Sequence, residues 1–463
     1  MTASHRLLLA SLAVLLLAPS LRADTRTDRA LRYMRDYGAG AHAGLPSFSR
    51  QTGLACNACH TTFPQLTPFG RMFKLNGYTL AGLQVVTAGD SGQRQTLKLD
   101  LIPPVSAMLM TSLTQVKTTV PGTQNGTVQF PQELSVFFGE AITPHLGTFL
   151  QVTYDPVEGG IGIDNADVRY ANHTHFAGKV LSYGFDLNNN PTVQDVWNTV
   201  PAWGFPFASS EVAPTPAATT LLDGGLSQQV AGLGTYGMWD NHLYAEFSVY
   251  RSAAQGAASP PDASSTNTIQ GVSPYWRAFY ELRFGAQSLM VGTLGMTSAL
   301  YPEGVDGVRN RFTDVAFDAQ YERPLGRGNL TAHAIWIHEH QNLTADFLSG
   351  ASSNSENTLK TFRADASAYT ASRLGVTLGY FSTSGDADAA RYPADPVTGS
   401  ATGSPNSNGV IAELSAYPWL NTRFSLGYVA YNRFNGGGSE GYDGAGRTAG
   451  ANNTLFLLAW VAF

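Results

Sequence analysis

The 463-residue sequence predicts a mainly β protein, an antiparallel barrel of about sixteen strands behind a small N-terminal head, and three observations lead there. Segments of about ten residues alternate between apolar and polar positions, as strands with one dry and one wet face do. Tight links alternate with long polar ones along the chain. Charged residues make up only 13% of the sequence, about half the share of roughly 25% usual in soluble domains, while glycine, tyrosine and phenylalanine are abundant. The formal net charge of −6 argues against nucleic acid as a partner.

Residues 1–23 read as a secretory signal: His5 and Arg6, an apolar run from Leu7 to Ala18, then a short polar stretch ending at Ala23. That run is too short to cross a bilayer as a helix, which needs ~20 residues. Residues 24–94 form the expected head. Arg26 to Tyr37 has helical spacing, with Leu31, Met34 and Tyr37 on one side. A Gly-Ala run from Gly38 to Gly44 ends it, and Pro64 and Pro68 predict irregular chain until Phe69.

Within the head lies Cys56-Asn57-Ala58-Cys59-His60, which contains the only two cysteines of the chain. Two thiols at this spacing can add to the two vinyl groups of a haem, and the adjacent imidazole can then ligate its iron. C-x-x-C also suits a redox dithiol or a simple disulfide. The trailing His60 and the export signal favour one covalent haem c on Cys56 and Cys59, with His60 as the iron ligand. Spacing leaves the second axial ligand open. Met72 is the nearest candidate, and packing beside Phe69 and Phe73 is its other reading; His42 would give a bis-histidine iron or be a loop residue. Arg50, Arg71 and Lys74 could pair with the haem propionates or be solvated charges.

The run Leu45-Pro46-Ser47-Phe48-Ser49-Arg50-Gln51-Thr52-Gly53, the C-N-A-C-H motif, Phe63-Pro64-Gln65-Leu66-Thr67-Pro68-Phe69-Gly70-Arg71 and Phe73-Lys74-Leu75-Asn76-Gly77-Tyr78 together resemble the haem head of the fused outer-membrane cytochrome-porins. The resemblance is close over about 35 residues and architectural beyond them. It implies a monohaem cytochrome c domain joined to a porin-like barrel, attachment at Cys56 and Cys59, iron ligation by His60, and a role such as Fe(II) oxidation outside the cell. It does not fix the substrate.

Residues 95–463 carry the barrel pattern. Leu243, Ala245, Phe247 and Val249 share one face opposite Tyr244, Glu246 and Ser248; Val315, Phe317 and Ala319 oppose Asp314, Asp318 and Gln320; Trp276, Ala278, Tyr280 and Leu282 oppose Arg277, Glu281 and Arg283. Seven short links, from 143–147 to 418–421, alternate with eight longer ones, from 118–126 to 435–449. Leu455, Leu457, Ala459, Val461 and the terminal Phe463 share a face, with Trp460 on the other. That ending resembles the assembly signal of outer-membrane barrels. The longest loop, 188–224, is rich in turn formers and aromatics, which suits either a lumenal constriction or a surface cap.

His338 and His340 share a strand face, a spacing open to a metal ion or to ordinary rim polarity. Asp386, Asp388, Asp395, Glu440 and Asp443 are hard-oxygen candidates for transient Fe(II) capture, or solvated acids.

Since a hydrocarbon core is ~30 Å thick, one haem serves both sides best if the head plugs the lumen, facing inward residues such as Glu246, Asp314, Arg277 and Arg363. The expected function is electron conduction across a bacterial outer membrane, from an extracellular donor, Fe(II) first, to a periplasmic c-type cytochrome. As an enzyme it would be an Fe(II):cytochrome c oxidoreductase. A diffusion porin with a haem-bearing tether or sensor, and a conduit running outward, are the alternatives.

Overall fold

The computed structural model describes residues 46–80, 104–156, 160–252, 268–302, 307–370 and 373–463. The expected signal at 1–23, the helix at 26–37, His42 and the boundary near 94 lie outside them.

Sixteen long strands form one sheet among the described residues: β1 (Val105–Val116), β2 (Thr127–Thr143), β3 (Leu146–Asp155), β4 (Gly160–Phe176), β5 (Lys179–Asn188), β6 (Val230–Trp239), β7 (Leu243–Ser252), β8 (Ser273–Phe284), β9 (Gln287–Tyr301), β10 (Asn310–Leu325), β11 (Gly328–Asn342), β12 (Glu356–Tyr369), β13 (Leu374–Gly385), β14 (Ser407–Trp419), β15 (Thr422–Arg433) and β16 (Thr454–Ala462). Each pairs antiparallel with its sequence neighbour, and β16 pairs with β1 from Thr454↔Val116 to Ala462↔Met108. That last pairing closes the sheet, so no edge is left to be satisfied by another chain. The seven tight links lie at the end where β1 begins and β16 finishes, and eight other links, most of them long, lie at the opposite end.

The expected phase holds in the strands that alternate cleanly. Phe247, Phe317 and Leu378 point outward and are more than half exposed, while Glu246, Arg277, Glu281, Asp314 and Asp318 point inward and are buried. An apolar exterior around a polar interior is the inverse of a soluble sandwich. No helix among the described residues is long and apolar enough to cross a membrane, which says nothing about strands.

Two segments bury those inward charges. The 189–229 link folds into the lumen: Val193, Trp197, Val200, Leu222 and Leu226 are almost fully buried there. Asp195 accepts from Arg277 Nε at 2.6 Å, Gln194 donates to Glu246 at 2.6 Å, and the Leu222 amide donates to Asp314 at 2.8 Å. The constriction reading of this loop is therefore the one realised, and the cap reading is not. Glu246, Asp314, Arg277 and Arg363 find their partners in this loop rather than in the head as expected; Arg363, for instance, pairs with Asp223.

The second segment is the head itself, described over 46–80. Its helices are α1 (Ser47–Thr52), α2 (Cys56–Cys59) and α3 (Pro68–Leu75). Gly53 ends α1 at φ +69°, a left-handed position that favours glycine. Pro68 at the first turn and Thr67 as N-cap start α3, the Thr67 hydroxyl accepting the Gly70 amide at 3.1 Å. Helix thus begins where proline-rich chain had suggested irregular structure, because proline is tolerated in a first turn.

The head binds the inner wall all round. Arg71 makes a two-pronged pair with Glu322 of β10 at 2.7 and 3.0 Å and lies 3.8 Å from Glu281 of β8. Tyr78 donates to Asp167 of β4 at 2.6 Å, and Tyr236 of β6 donates to the Leu75 carbonyl at 2.6 Å. Thr62 and Tyr417 of β14 share a hydroxyl–hydroxyl bond.

Candidate functional site

The head, the in-folded link and strands β1, β2, β3, β15 and β16 together line a cavity of about 430 Å³, within the range of about 300–1,000 Å³ typical of small-molecule and cofactor sites. Cys56, Cys59 and His60 line one side of it, with Phe48, Phe63 and Phe73 from the head around them. The C-x-x-C turn is held tightly. The Thr67 amide donates to the Cys59 carbonyl at 2.9 Å, and the Thr67 hydroxyl donates to the Ala58 carbonyl at 2.6 Å. A Cβ on Gly70 would sit 2.2 Å from the Cys59 carbonyl oxygen, so α3 can lie against α2 only with glycine there.

Burial sets the chemistry of these groups. The two thiols are not joined to each other. Desolvation, with the neighbouring Cys56 adding to it, pushes the Cys59 thiol up to about 11. The His60 imidazole is driven down to about 4 by desolvation, which keeps it neutral at ordinary pH. Its Nδ1 is buried without a hydrogen-bond partner. The His60 ring packs on Phe63 at 4.5 Å between centroids, and Phe63 packs on Trp460 of β16 at 4.6 Å.

Two unlinked thiols, a neutral histidine and an apolar void fit a covalently tethered haem. Cys56 and Cys59 would hold it through thioethers, and His60 would ligate its iron. Arg423 of β15 also lines the cavity; it pairs with Glu413, and its Nε is buried with no partner, a donor suited to a carboxylate such as a propionate.

The other residues singled out from sequence divide. Lys74 reaches the cavity, but its ammonium donates to the Val193 and Asp195 carbonyls at 2.5 and 2.8 Å. Arg50 donates to the Val105 carbonyl. Arg71 and Met72 are not brought to the cavity. They share the other face of α3, where the Arg71 guanidinium lies 4.0 Å over the Trp197 ring and Met72 packs against the cluster of Leu75, Val196 and Trp197. Met72 is thus placed for packing, the second of its two readings, and not for ligation in this cavity.

His338 and His340 do share the outward face, with His338 stacked on Trp336 at 5.8 Å, but no group of three metal-type ligands occurs among the described residues. Asp388 takes up bonds from the Ser352 hydroxyl, the Ser353 amide at 2.8 Å and Asn357 at 2.9 Å; Asp443 accepts the Val397, Ala445 and Arg447 amides. Both are loop braces.

Sequence reasoning missed Arg423, Met108, Met110 and Trp460 as cavity walls. Met108 and Met110 stand among the polar inward residues Ser106, Ser112 and Thr114 of β1, and with Phe456, Leu458 and Trp460 of β16 they form one buried cluster.

No family model matches the chain, and no curated protein matches it. Among solved structures it is similar to the anion-selective porin of Comamonas acidovorans, at 13% identity and a TM-score of 0.45 over 78% of this chain and 98% of that one. It is also similar to the outer membrane channel DcaP of Acinetobacter baumannii, at 12% identity and 0.46 over 78% and 96%, and to Salmonella typhi OmpF, at 12% and 0.45 over 78% and 97%. The strand register above establishes a closed sixteen-stranded, porin-like barrel in its own right. These likenesses carry nothing about function.

Proposed function

We propose that this chain resides in a bacterial outer membrane and carries electrons across it through one c-type haem tethered in the lumen by Cys56, Cys59 and His60. The observation that supports this most is the placing of C-x-x-C-H on the wall of an apolar cavity inside the barrel. The outward apolar belt supports the membrane setting. When bound, such a group supplies a one-electron couple whose potential its ligands and surroundings tune.

The chain's own residues supply the rest. His60 is held neutral and ready to donate a lone pair, the two thiols fix position, Arg423 offers a donor for a carboxylate, and the head with the 189–229 link displaces water from the lumen. The donor at the long-loop mouth is taken as Fe(II), as the head's resemblance implies, and the acceptor at the other mouth as a soluble periplasmic cytochrome. A diffusion porin is the second reading, favoured by the porin-like barrel itself. The packed lumen speaks for the conduit.

The test is stopped-flow spectroscopy of protein matured in a host that attaches c-type haem, mixed with Fe(II), beside planar-bilayer conductance. Rapid reduction, absent in Cys59→Ala, with conductance far below that of an open porin, is the expected result. Porin-like conductance with no reduction by Fe(II) would establish the second reading instead.

A further inference from the structure

Granting that reading, we infer that the second axial ligand comes from the barrel wall and not from the head, and that it is Met108 or Met110 of β1. Both line the cavity that His60 faces, and both are buried. They stand two residues apart on one strand, so both thioethers project from the same inward face, separated by ~7 Å. At the inward positions of β8 and β10 the barrel places Arg277, Glu281, Asp314 and Asp318. The other inward methionines described, Met238, Met290 and Met296, lie in the packed clusters around the in-folded link, whereas Met108 and Met110 alone border this cavity. Thioether sulfur is a soft ligand that suits haem iron opposite histidine and raises its potential.

Two other candidates at the cavity are less suited. The Lys74 ammonium has no lone pair to offer and donates to two carbonyls, and one carboxylate oxygen of Glu133 accepts from Ser135 at 2.6 Å and from Gln151 at 3.2 Å. Met72, the head's own thioether among the described residues, lies on the wrong face of α3. Ligation from β1 would make the iron a bridge, with one axial bond to the head and the other to the barrel. Seating of the head would then be readable as spin state.

The experiment uses full-length protein carrying covalent haem, scored by pyridine haemochrome, with Met108→Leu, Met110→Leu, Met72→Leu and the Met108→Leu/Met110→Leu double variant. Leucine keeps volume and polarity, so the cavity wall is preserved. The readouts are the far-red thioether-to-ferric charge-transfer band and the strongly shifted ligand-methyl resonance of the ferrous protein. The unaltered protein should show both signals, Met72→Leu should keep them, and one β1 single variant should lose them, turn high-spin and fall in midpoint potential. Signals that survive the double variant, or haem-loaded protein that never shows them, would overturn the assignment while leaving the haem in place. If the double variant does not fold, the single variants and the ferrous spectrum of the unaltered protein decide. Absence of covalent haem would instead remove the functional reading, and this inference with it.

Discussion

Replacing Arg71 by methionine should loosen the head without unfolding the barrel. The change keeps most of the stem that lies against Trp197 but removes the guanidinium from Glu322 and Glu281, side chains that are 10% and 3% exposed. Breaking a buried pair by deleting one partner costs about 3–5 kcal/mol, since the other charge stays behind. Here the lower end applies. Glu322 keeps bonds from Gln320 at 2.7 Å and Ser288 at 3.3 Å, and Glu281 keeps Arg283 at 2.8 Å. About 3 kcal/mol corresponds to roughly a hundredfold to two-hundredfold rise in the population of undocked head. Native-state hydrogen exchange reads this directly. The α3 amides, such as Asn76 bonded to the Met72 carbonyl at 2.9 Å, should lose protection by about that factor while amides of β10 to β14 do not. Protection in α3 unchanged within a few-fold would show that the pair does not hold the plug. Equal loss in head and barrel would show that the two do not separate.

Three further outcomes are expected. Arg277 is fully buried between Asp195 and Asp318, so Arg277→Met should strand two carboxylates, destabilise the in-folded link by about 3–5 kcal/mol and raise planar-bilayer conductance; unchanged conductance would mean that the link is held elsewhere. Gly70→Ala should force α3 off the Cys59 carbonyl and lower the fraction of chains that acquire covalent haem, measured by haem-stained denaturing gels; full loading would contradict the contact. In haem-free protein the Cys59 thiol, at about 11 against an ordinary 9.0, should have a thiolate fraction at pH 8 about a hundredfold below that of a free thiol. Alkylation of Cys59 should therefore be slow at pH 8 and climb until about pH 11, as mass spectrometry of the labelled peptide would show, whereas a free-thiol profile would mean the site is wet.

The barrel was legible because its physics repeats. Phe317 outward and Asp314 inward say the same thing as Phe247 outward and Glu246 inward, and a period of two tolerates local noise. A candidate site was legible where a motif is written in contiguous residues, as in Cys56 to His60, which line one cavity wall. It was not where phase decides. In α3, Pro68, Arg71, Met72 and Leu75 occupy i, i+3, i+4 and i+7, a single helical stripe, and Gly70, Phe73 and Lys74 occupy the other. Met72 reads as a ligand only if that helix is overlooked, and the prolines concealed it. β16 posed the opposite difficulty: with Leu455 and Leu457 outward and Phe456 and Leu458 inward, an apolar strand has no visible phase, so its inner face could not be assigned without knowing what it covered.

The seam of the barrel joins β1 to β16, and the inner faces of both line the cavity beside the head, which also reaches β4, β6, β8, β10 and β14. Phe63 touches Trp460, and Thr62 touches Tyr417 across 355 residues of chain. Contacts of such sequence separation form late, because the intervening loop must first be closed. The strands that must zip last are thus the ones that would expose Met108, Met110, Phe456, Leu458 and Trp460 to water in an empty lumen. Closing the ring and seating the head would therefore be linked, since a plug in position before the final strand arrives would cover that apolar wall.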